Sequence, residues 1–337
     1  MSSIATTLAT LPAQAKPQLV QTLGDMSDDG NLADLQFAQT KIASLGLPYR
    51  DLVGNHEITQ GALPETGNFN QVFGDTHYAY TMGTGASSAA VIATDSAHGG
   101  ITESDPFQSP AQGQWPWLVQ QLSDTTASSV MVLTHMPAYD PHPIADSQFS
   151  DRYEAKEYVR LIQRYQQSHP KQHVVMMYGH SRGFAEQILD PEGNPTSVAK
   201  GGVPQFTFAD LGMPAYATPE QGGFYHYGLM HVTDSGDLQF AVQPVLASIA
   251  ITAPQPTLSV GTGETITATG TNVGGDNLAT VTLPIADPAS HLWSSSDPRV
   301  ARIDPVTGTV SGRKPGTTQI TVESDGATAT TAITVTG

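Results

Sequence analysis

Residues 20–30 read Val-Gln-Thr-Leu-Gly-Asp-Met-Ser-Asp-Asp-Gly, a short apolar run that stops abruptly in a turn rich in carboxylates. A run of that length and composition is a strand, and the glycines at 24 and 30 permit the sharp exit. The same event recurs downstream. Residues 89–94 (AAVIAT) form a buried-type strand; residues 130–133 (VMVL) run into Thr134-His135-Met136-Pro137; residues 174–178 run into Gly179-His180-Ser181-Arg182. Helical patterns lie between these strands. Asn31 can cap a helix whose stripe is Leu35, Ala38, Ile42 and Leu45. Trp115, Leu118 and Leu122 mark a second, and residues 153–165 a third. Strands alternating with helices predict an α/β fold. Asp25, Asn55, His135 and His180 all fall in loops, mostly just after strands, where open α/β sheets place their ligand site.

The pattern changes toward the end of the chain. Residues 205–208, 223–232 and 238–245 look like strands with no helices between them, so the sheet finishes in antiparallel fashion. The stretch up to about residue 80 reads as loop-rich, and residues 1–17 as a helix with Ile4, Leu8 and Leu11 on one face. Beyond Val245 the sequence is rich in Thr, Val and Gly, and alternation recurs in ETITATG, VTLPIA, GTTQITVES and TATTAITVTG. This predicts a small all-β sandwich. The expected organisation is an α/β domain over 1–248 and an all-β module over 251–337, with 246–255 as linker.

Composition narrows the function. The 337 residues carry 31 acidic against 14 basic side chains, a net charge of -17. A surface of that sign offers no basic groove, which argues against nucleic-acid binding. It would also repel an anionic substrate unless a metal or local cation reversed the field. There is no cysteine, so disulfides, thiolate ligands and cysteine nucleophiles are excluded. No apolar run is long enough to span a bilayer, and the first residues lack the basic and apolar regions of a signal peptide.

The loop residues themselves point to metal chemistry. Asp25 supplies a carboxylate able to bridge cations, Asn55 a carbonyl oxygen, and His135 and His180 imidazole nitrogens. Mixed N and O donors suit Zn, Mn, Fe or Co, as one or two ions that would clamp a phosphoryl group and activate water. His56, next to a ligand, could protonate a leaving oxygen. Asp28 and Asp29 read as turn or helix-start residues, and His226 as structural; His98, Asp140 and His142 are weaker candidates for the site.

The succession GDMSDDG (24–30), GNHE (54–57), THMP (134–137) and GHSR (179–182) resembles the calcineurin-like metallophosphoesterase superfamily, as does QWPWLVQQL (114–122). That resemblance implies a four-layer αββα sandwich that hydrolyses phosphomonoesters or phosphodiesters with two metals. It implies Asp25 as the metal bridge, Asn55, His135 and His180 on the second metal, and His56 as the acid. The family's upstream Asp-x-His pair, which holds the first metal, has no counterpart: residues 1–23 contain neither Asp nor His. Arg182 stands where the final Gly-His-x-His motif has its second His. Two expectations for Arg182 follow. Either it places a fixed positive charge near the first-metal position and grips phosphate bidentately, or the site is lost and Arg182 is solvent-facing or paired with a nearby acid.

Trp293-Ser-Ser-Ser-Asp-Pro298, Gly308-Thr-Val-Ser-Gly312 and the closing GTTQITVESDG resemble the bacterial Ig-like group 2 domain, with Trp293, Val300, Ile303 and Val310 directed to its core. That implies a spacer, or a unit making cell-surface or carbohydrate contacts outside the cell. The lack of an export signal and of the Asp-x-His strand is read as an N-terminally incomplete chain; a short cytoplasmic product is the alternative. An uncovered sheet edge would then favour poor solubility or pairing with another chain. The leading expectation is a metal-dependent phosphoesterase, one-metal or impaired. Its rival is a catalytically inactive cell-surface binding or structural protein on a degenerate phosphoesterase scaffold.

Overall fold

A computed structural model describes residues 1–11, 15–104, 113–142, 147–275, 278–285 and 291–337. In chain order the first part contains α1 (Ser2–Thr10), β1 (Val20–Gln21), α2 (Leu32–Ala43), β2 (Tyr49–Arg50), α3 (Gly67–Phe73), β3 (Tyr78–Met82), β4 (Ala89–Thr94), α4 (Gln114–Asp124), β5 (Ser129–Thr134), α5 (Arg152–Ser168), β6 (His173–Tyr178), β7 (Ala185–Leu189), β8 (Val203–Thr207), β9 (His226–Val232) and β10 (Leu238–Pro244). Among the described residues, the main sheet has the order β3-β4-β5-β6-β8-β7. Its four central strands run parallel, and β3 and β7 are antiparallel edges.

Alternation along these strands builds the layers. Ile92, Val130, Val132, Val174, Met176 and Tyr178 pack toward α4 and α5, onto Leu118, Leu122, Tyr158 and Ile162. Val91, Ala93, Met131, Leu133 and Met177 face the other way, onto Leu23 and Leu52. On that inner side lie the parallel pair β1–β2 and the antiparallel ribbon β9–β10, whose Phe240 packs at a tilt against Phe206 of β8, ring centroids 4.9 Å apart. α2 and α3 cover this layer through Leu35, Phe69 and Phe73. The order helix, sheet, sheet, helix is that of a phosphoesterase-like αββα sandwich. Asn31 caps α2 as expected, its Oδ1 accepting from Asp34 N at 2.9 Å.

Four elements of this first part went unforeseen: the two-residue β2, which exists only by pairing with β1, and α3, β3 and β7. α3 has only seven residues and several poor helix formers, and it exists because Phe69 is buried with the half-buried Phe73 packed against the same cluster. β3 is an edge strand with no buried position, so its alternation carries little hydrophobic signal. β7, AEQIL, has helix-like composition and becomes a strand by pairing with β8.

The expected linker at 246–255 is largely a strand. β11 (Leu246–Thr252) opens the all-β part, followed by β12 (Thr257–Ser259), β13 (Gly263–Thr265), β14 (Thr267–Asn272), β15 (Val281–Pro284), β16 (His291–Ser295), β17 (Ala301–Ile303), β18 (Thr309–Gly312), β19 (Gly316–Ser324) and β20 (Ala327–Thr336). β11 pairs with β14 at the edge of the three-stranded sheet β11-β14-β15, so its alternating LASIAIT is part of a sandwich face rather than a tether. Trp293, Ile303 and Val310 are buried in this core with Ile320, Val322 and Ile333, and Val300 packs against it.

The two parts meet at the β19–β20 turn. The buried Asp325 carboxylate accepts from Tyr227 Oη at 2.7 Å and from Leu246 N at 3.1 Å, while its carbonyl accepts from Thr7 Oγ1 at 2.8 Å. Asn272 bonds Tyr225 on both its backbone atoms, at 2.8 and 2.7 Å. Among the described residues no helix is long and apolar enough to cross a membrane.

Candidate metal centre

The loops after β1, β5 and β6 converge because glycine lets their backbones touch. Gly24 adopts φ 94°, and a Cβ there would stand 2.3 Å from His135 Nδ1. At Gly54 a Cβ would stand 2.3 Å from Asp25 Oδ1 and 2.4 Å from Asp25 N. Asp25, His180 and Arg182 themselves occupy the left-handed region, at φ 56°, 65° and 49°. L-residues with side chains pay a steric penalty there, and such positions concentrate at functional sites.

Glu57 holds this arrangement together. It is fully buried, and its two carboxylate oxygens accept from the amides of Asp25 (2.8 Å), Met26 (2.8 Å), Ser27 (3.0 Å) and Gly54 (2.8 Å). Burial and the nearby Asp25 charge push this carboxyl up, and the amide donors pull it back toward the ionised form. One carboxylate thus ties the Asp25 loop to the Asn55 loop.

Four donor atoms face one another above that platform. His135 Nδ1 lies 2.6 Å from the Leu23 carbonyl, which fixes the proton on Nδ1 in the neutral ring and turns Nε2 toward the site. Nε2 stands 3.1 Å from Asp25 Oδ2, 3.2 Å from Asn55 Oδ1 and 3.2 Å from His180 Nδ1. Asp25, His135 and His180 are the one group of three or more metal-type side chains among the described residues, with ligand atoms all within 4.8 Å. Every atom in this set offers a lone pair, an arrangement that calls for a positive charge at its centre. Burial opposes an imidazolium at His135, yet the charge and hydrogen bond of Asp25 outweigh it and raise His135 to about 9. Burial likewise disfavours the Asp25 carboxylate, but His135 and His56 hold it well below the usual carboxylate range. Burial and the His135 charge push His180 down to about 4, leaving it neutral. The N and O donors fit one transition-metal ion of modest coordination number.

The other sequence-predicted residues sort clearly. His56 N donates to Asp25 Oδ1 at 3.2 Å, and His56 Nδ1 is 2.7 Å from the Asp28 carbonyl, so its Nε2 is the end available to a ligand. Arg182 is not solvent-facing: its side chain is 14% exposed, its Nε is 3.4 Å from Asp210 Oδ2, and its guanidinium lies over the Tyr216 ring at 4.7 Å. Asp29 accepts from Asn31 in the helix-start turn, and His98 pairs with Glu65 at 2.9 Å; neither belongs to the metal-type group. Asp140 accepts from the amide of His142 at 2.8 Å. His226 is buried between Phe184, Phe208 and Phe224, with Nδ1 on the Phe224 carbonyl.

Two residues of this region escaped the sequence reading. Glu57 lay inside the GNHE motif without a role; the clue was a carboxylate one turn after a glycine, facing a loop of unpaired amides. Asp210 follows the end of β8, so applying the strand-end rule to one more strand would have reached it. Burial and the Asp25 charge push Asp210 up to about 6.

Residues 1–181 match the family described as Calcineurin-like phosphoesterase, and residues 245–335 match the Bacterial Ig-like domain (group 2). No curated protein matches the chain. Among solved structures, GAP50, described as the anchor in the inner membrane complex of Plasmodium, is 16% identical with a TM-score of 0.44, covering 85% of this chain and 84% of its own. PhoD is 11% identical with a TM-score of 0.44, covering 98% of this chain and 69% of its own. Domains 4 and 5 of the S-layer protein SbsC are 16% identical over 47% of this chain and 90% of theirs, with a TM-score of 0.23. The extent of the first match, over more than half of the chain, makes this protein a member of the calcineurin-like phosphoesterase family, with a bacterial Ig-like group 2 module toward its C-terminus.

Proposed function

We propose that the protein is a one-metal phosphoesterase acting on phosphomonoesters or phosphodiesters. The observation that carries this reading is the convergence of lone-pair atoms from Asp25, His135 and His180, with Asn55 Oδ1 beside them. A cation held by these four residues would polarise a phosphoryl oxygen and acidify a water. Mn, Fe, Zn and Co all suit the donor set.

The chain's own groups supply the rest. The Leu23 carbonyl keeps the His135 proton on Nδ1, so Nε2 stays turned inward. His56, oriented by the Asp28 carbonyl and by its amide bond to Asp25, donates a proton from Nε2 to the leaving oxygen. Arg182 offers a fixed positive charge to the phosphate, in a chain whose net charge of -17 would otherwise repel it. The Ig-like module supports a setting at or outside the cell surface, where it acts as a spacer or makes carbohydrate contacts.

The pairing of Arg182 with Asp210 favours a second reading, a degenerate scaffold that binds or supports without catalysis. Metal analysis of purified protein together with generic phosphomonoester and phosphodiester assays decides between the two. Hydrolysis that is lost in Asn55→Ala and His135→Ala supports the enzyme. Undetectable hydrolysis across Mn, Fe, Zn and Co supports the scaffold.

A further inference from the structure

The geometry points to Asp210 as the positioning residue that turns Arg182 into an anion clamp; this deepens, and rests on, the reading of Arg182 as the phosphate-binding group. An arginine grips phosphate with its terminal fork, and it does so best when its other edge is already fixed. Arg182 meets that condition. Its Nε edge is held by Asp210 Oδ2 at 3.4 Å and one guanidinium face is covered by Tyr216, while no described residue hydrogen-bonds Nη1 or Nη2. The backbone is fixed as well, since the Arg182 carbonyl accepts from Tyr216 N at 3.3 Å and the residue is held at φ 49°.

Asp210 is fixed in turn from β9. The neighbouring amide, Ala209 N, lies 3.4 Å from Nε2 of the buried His226, whose Nδ1 is committed to the Phe224 carbonyl. Asp210 Oδ2 is sealed from solvent and makes no hydrogen bond among the described residues, so the arginine is its electrostatic partner. Arg182 stands two residues after the donor residue His180, in the loop that follows β6. The proposed clamp therefore belongs to the same loop as one of the metal-type residues.

Simple electrostatics and positioning predict opposite signs. If Asp210 were only a nearby negative charge, removing it would strengthen anion binding. If it orients the fork, removing it weakens binding although a repulsive charge has gone. The test is calorimetric titration of the full chain with inorganic phosphate, with and without Mn. Phosphate affinity should fall in the order wild type, Asp210→Asn, Asp210→Ala, with the alanine variant at least tenfold weaker and Mn affinity within twofold of wild type. Asp210→Glu should recover part of the loss, and Tyr216→Leu should weaken phosphate binding without touching Asp210. An Asp210→Ala protein that keeps its far-UV spectrum and binds phosphate as tightly as wild type, or more tightly, overturns the proposal. If Asp210→Ala fails to fold, equal phosphate affinity in wild type, Asp210→Asn and Tyr216→Leu overturns it. Phosphate binding that weakens as predicted in a protein without hydrolytic activity would sustain the clamp while defeating the enzymatic reading; the reverse pattern would do the opposite.

Discussion

Replacing Glu57 by glutamine preserves shape and removes one acceptor atom from the centre of the loop platform. The Oε2 atom accepts from Asp25 N and Gly54 N, both at 2.8 Å; Oε1 accepts from Met26 N at 2.8 Å and Ser27 N at 3.0 Å. Whichever oxygen becomes the amide nitrogen, at least two buried backbone donors lose a charged acceptor and meet a donor instead. Each such bond contributes about 1.5 kcal/mol or more, so Glu57→Gln should cost about 3 kcal/mol. That is a large share of the total stability of an ordinary domain. Urea unfolding of metal-free protein should show a lower midpoint with an unchanged slope. Metal affinity should fall at least tenfold, because Asp25 is held at φ 56° by the same bonds. A midpoint shift equivalent to less than about 0.5 kcal/mol, the scale of a neutral surface change, with unaltered metal affinity would refute the role assigned to Glu57.

Other expectations follow from the same structure. Gly54→Ala puts a methyl group 2.3 Å from Asp25 Oδ1, so metal affinity measured by calorimetry should drop while far-UV dichroism stays near wild type. Burial pushes Asp51 up to about 7 from 3.8, so the folded protein retains a proton that the unfolded chain has released between about pH 4 and pH 7. Stability should therefore fall as pH rises through that window and level off above it, by at most about 4 kcal/mol from this group; Asp51→Asn should reduce the slope measured by urea unfolding at successive pH values. Trp293→Ala removes the largest side chain from the Ig-like core and should cost about 3–5 kcal/mol, read as early loss of that module's transition on thermal unfolding.

Legibility in the sequence followed the physics of each element. β4 was plain because all six of its residues are buried, and α5 because Tyr158, Ile162 and Tyr165 repeat at helical spacing. The metal-type residues were legible because each stands where a strand stops, and that position is set by chain order alone. β3 and β7 lie at the sheet edges, where pairing rather than burial makes the strand, and pairing partners do not show in local sequence. The same holds within the site. His135 could be nominated from its motif, but its tautomer depends on Leu23, 112 residues away, and the state of Arg182 depends on Asp210 and Tyr216 in a later loop. Residues 246–252 looked like a tether because the composition of the chain changes after Val245, yet β14 supplies the pairing that makes them a strand.

The most direct measurement is the number of metal ions bound per chain. Chelator-stripped protein titrated calorimetrically with Mn or Zn should show one equivalent, and that site should disappear in Asp25→Asn and in His180→Ala. Two equivalents in the wild-type protein, or one that survives both substitutions, would contradict a single metal centre built from Asp25, Asn55, His135 and His180.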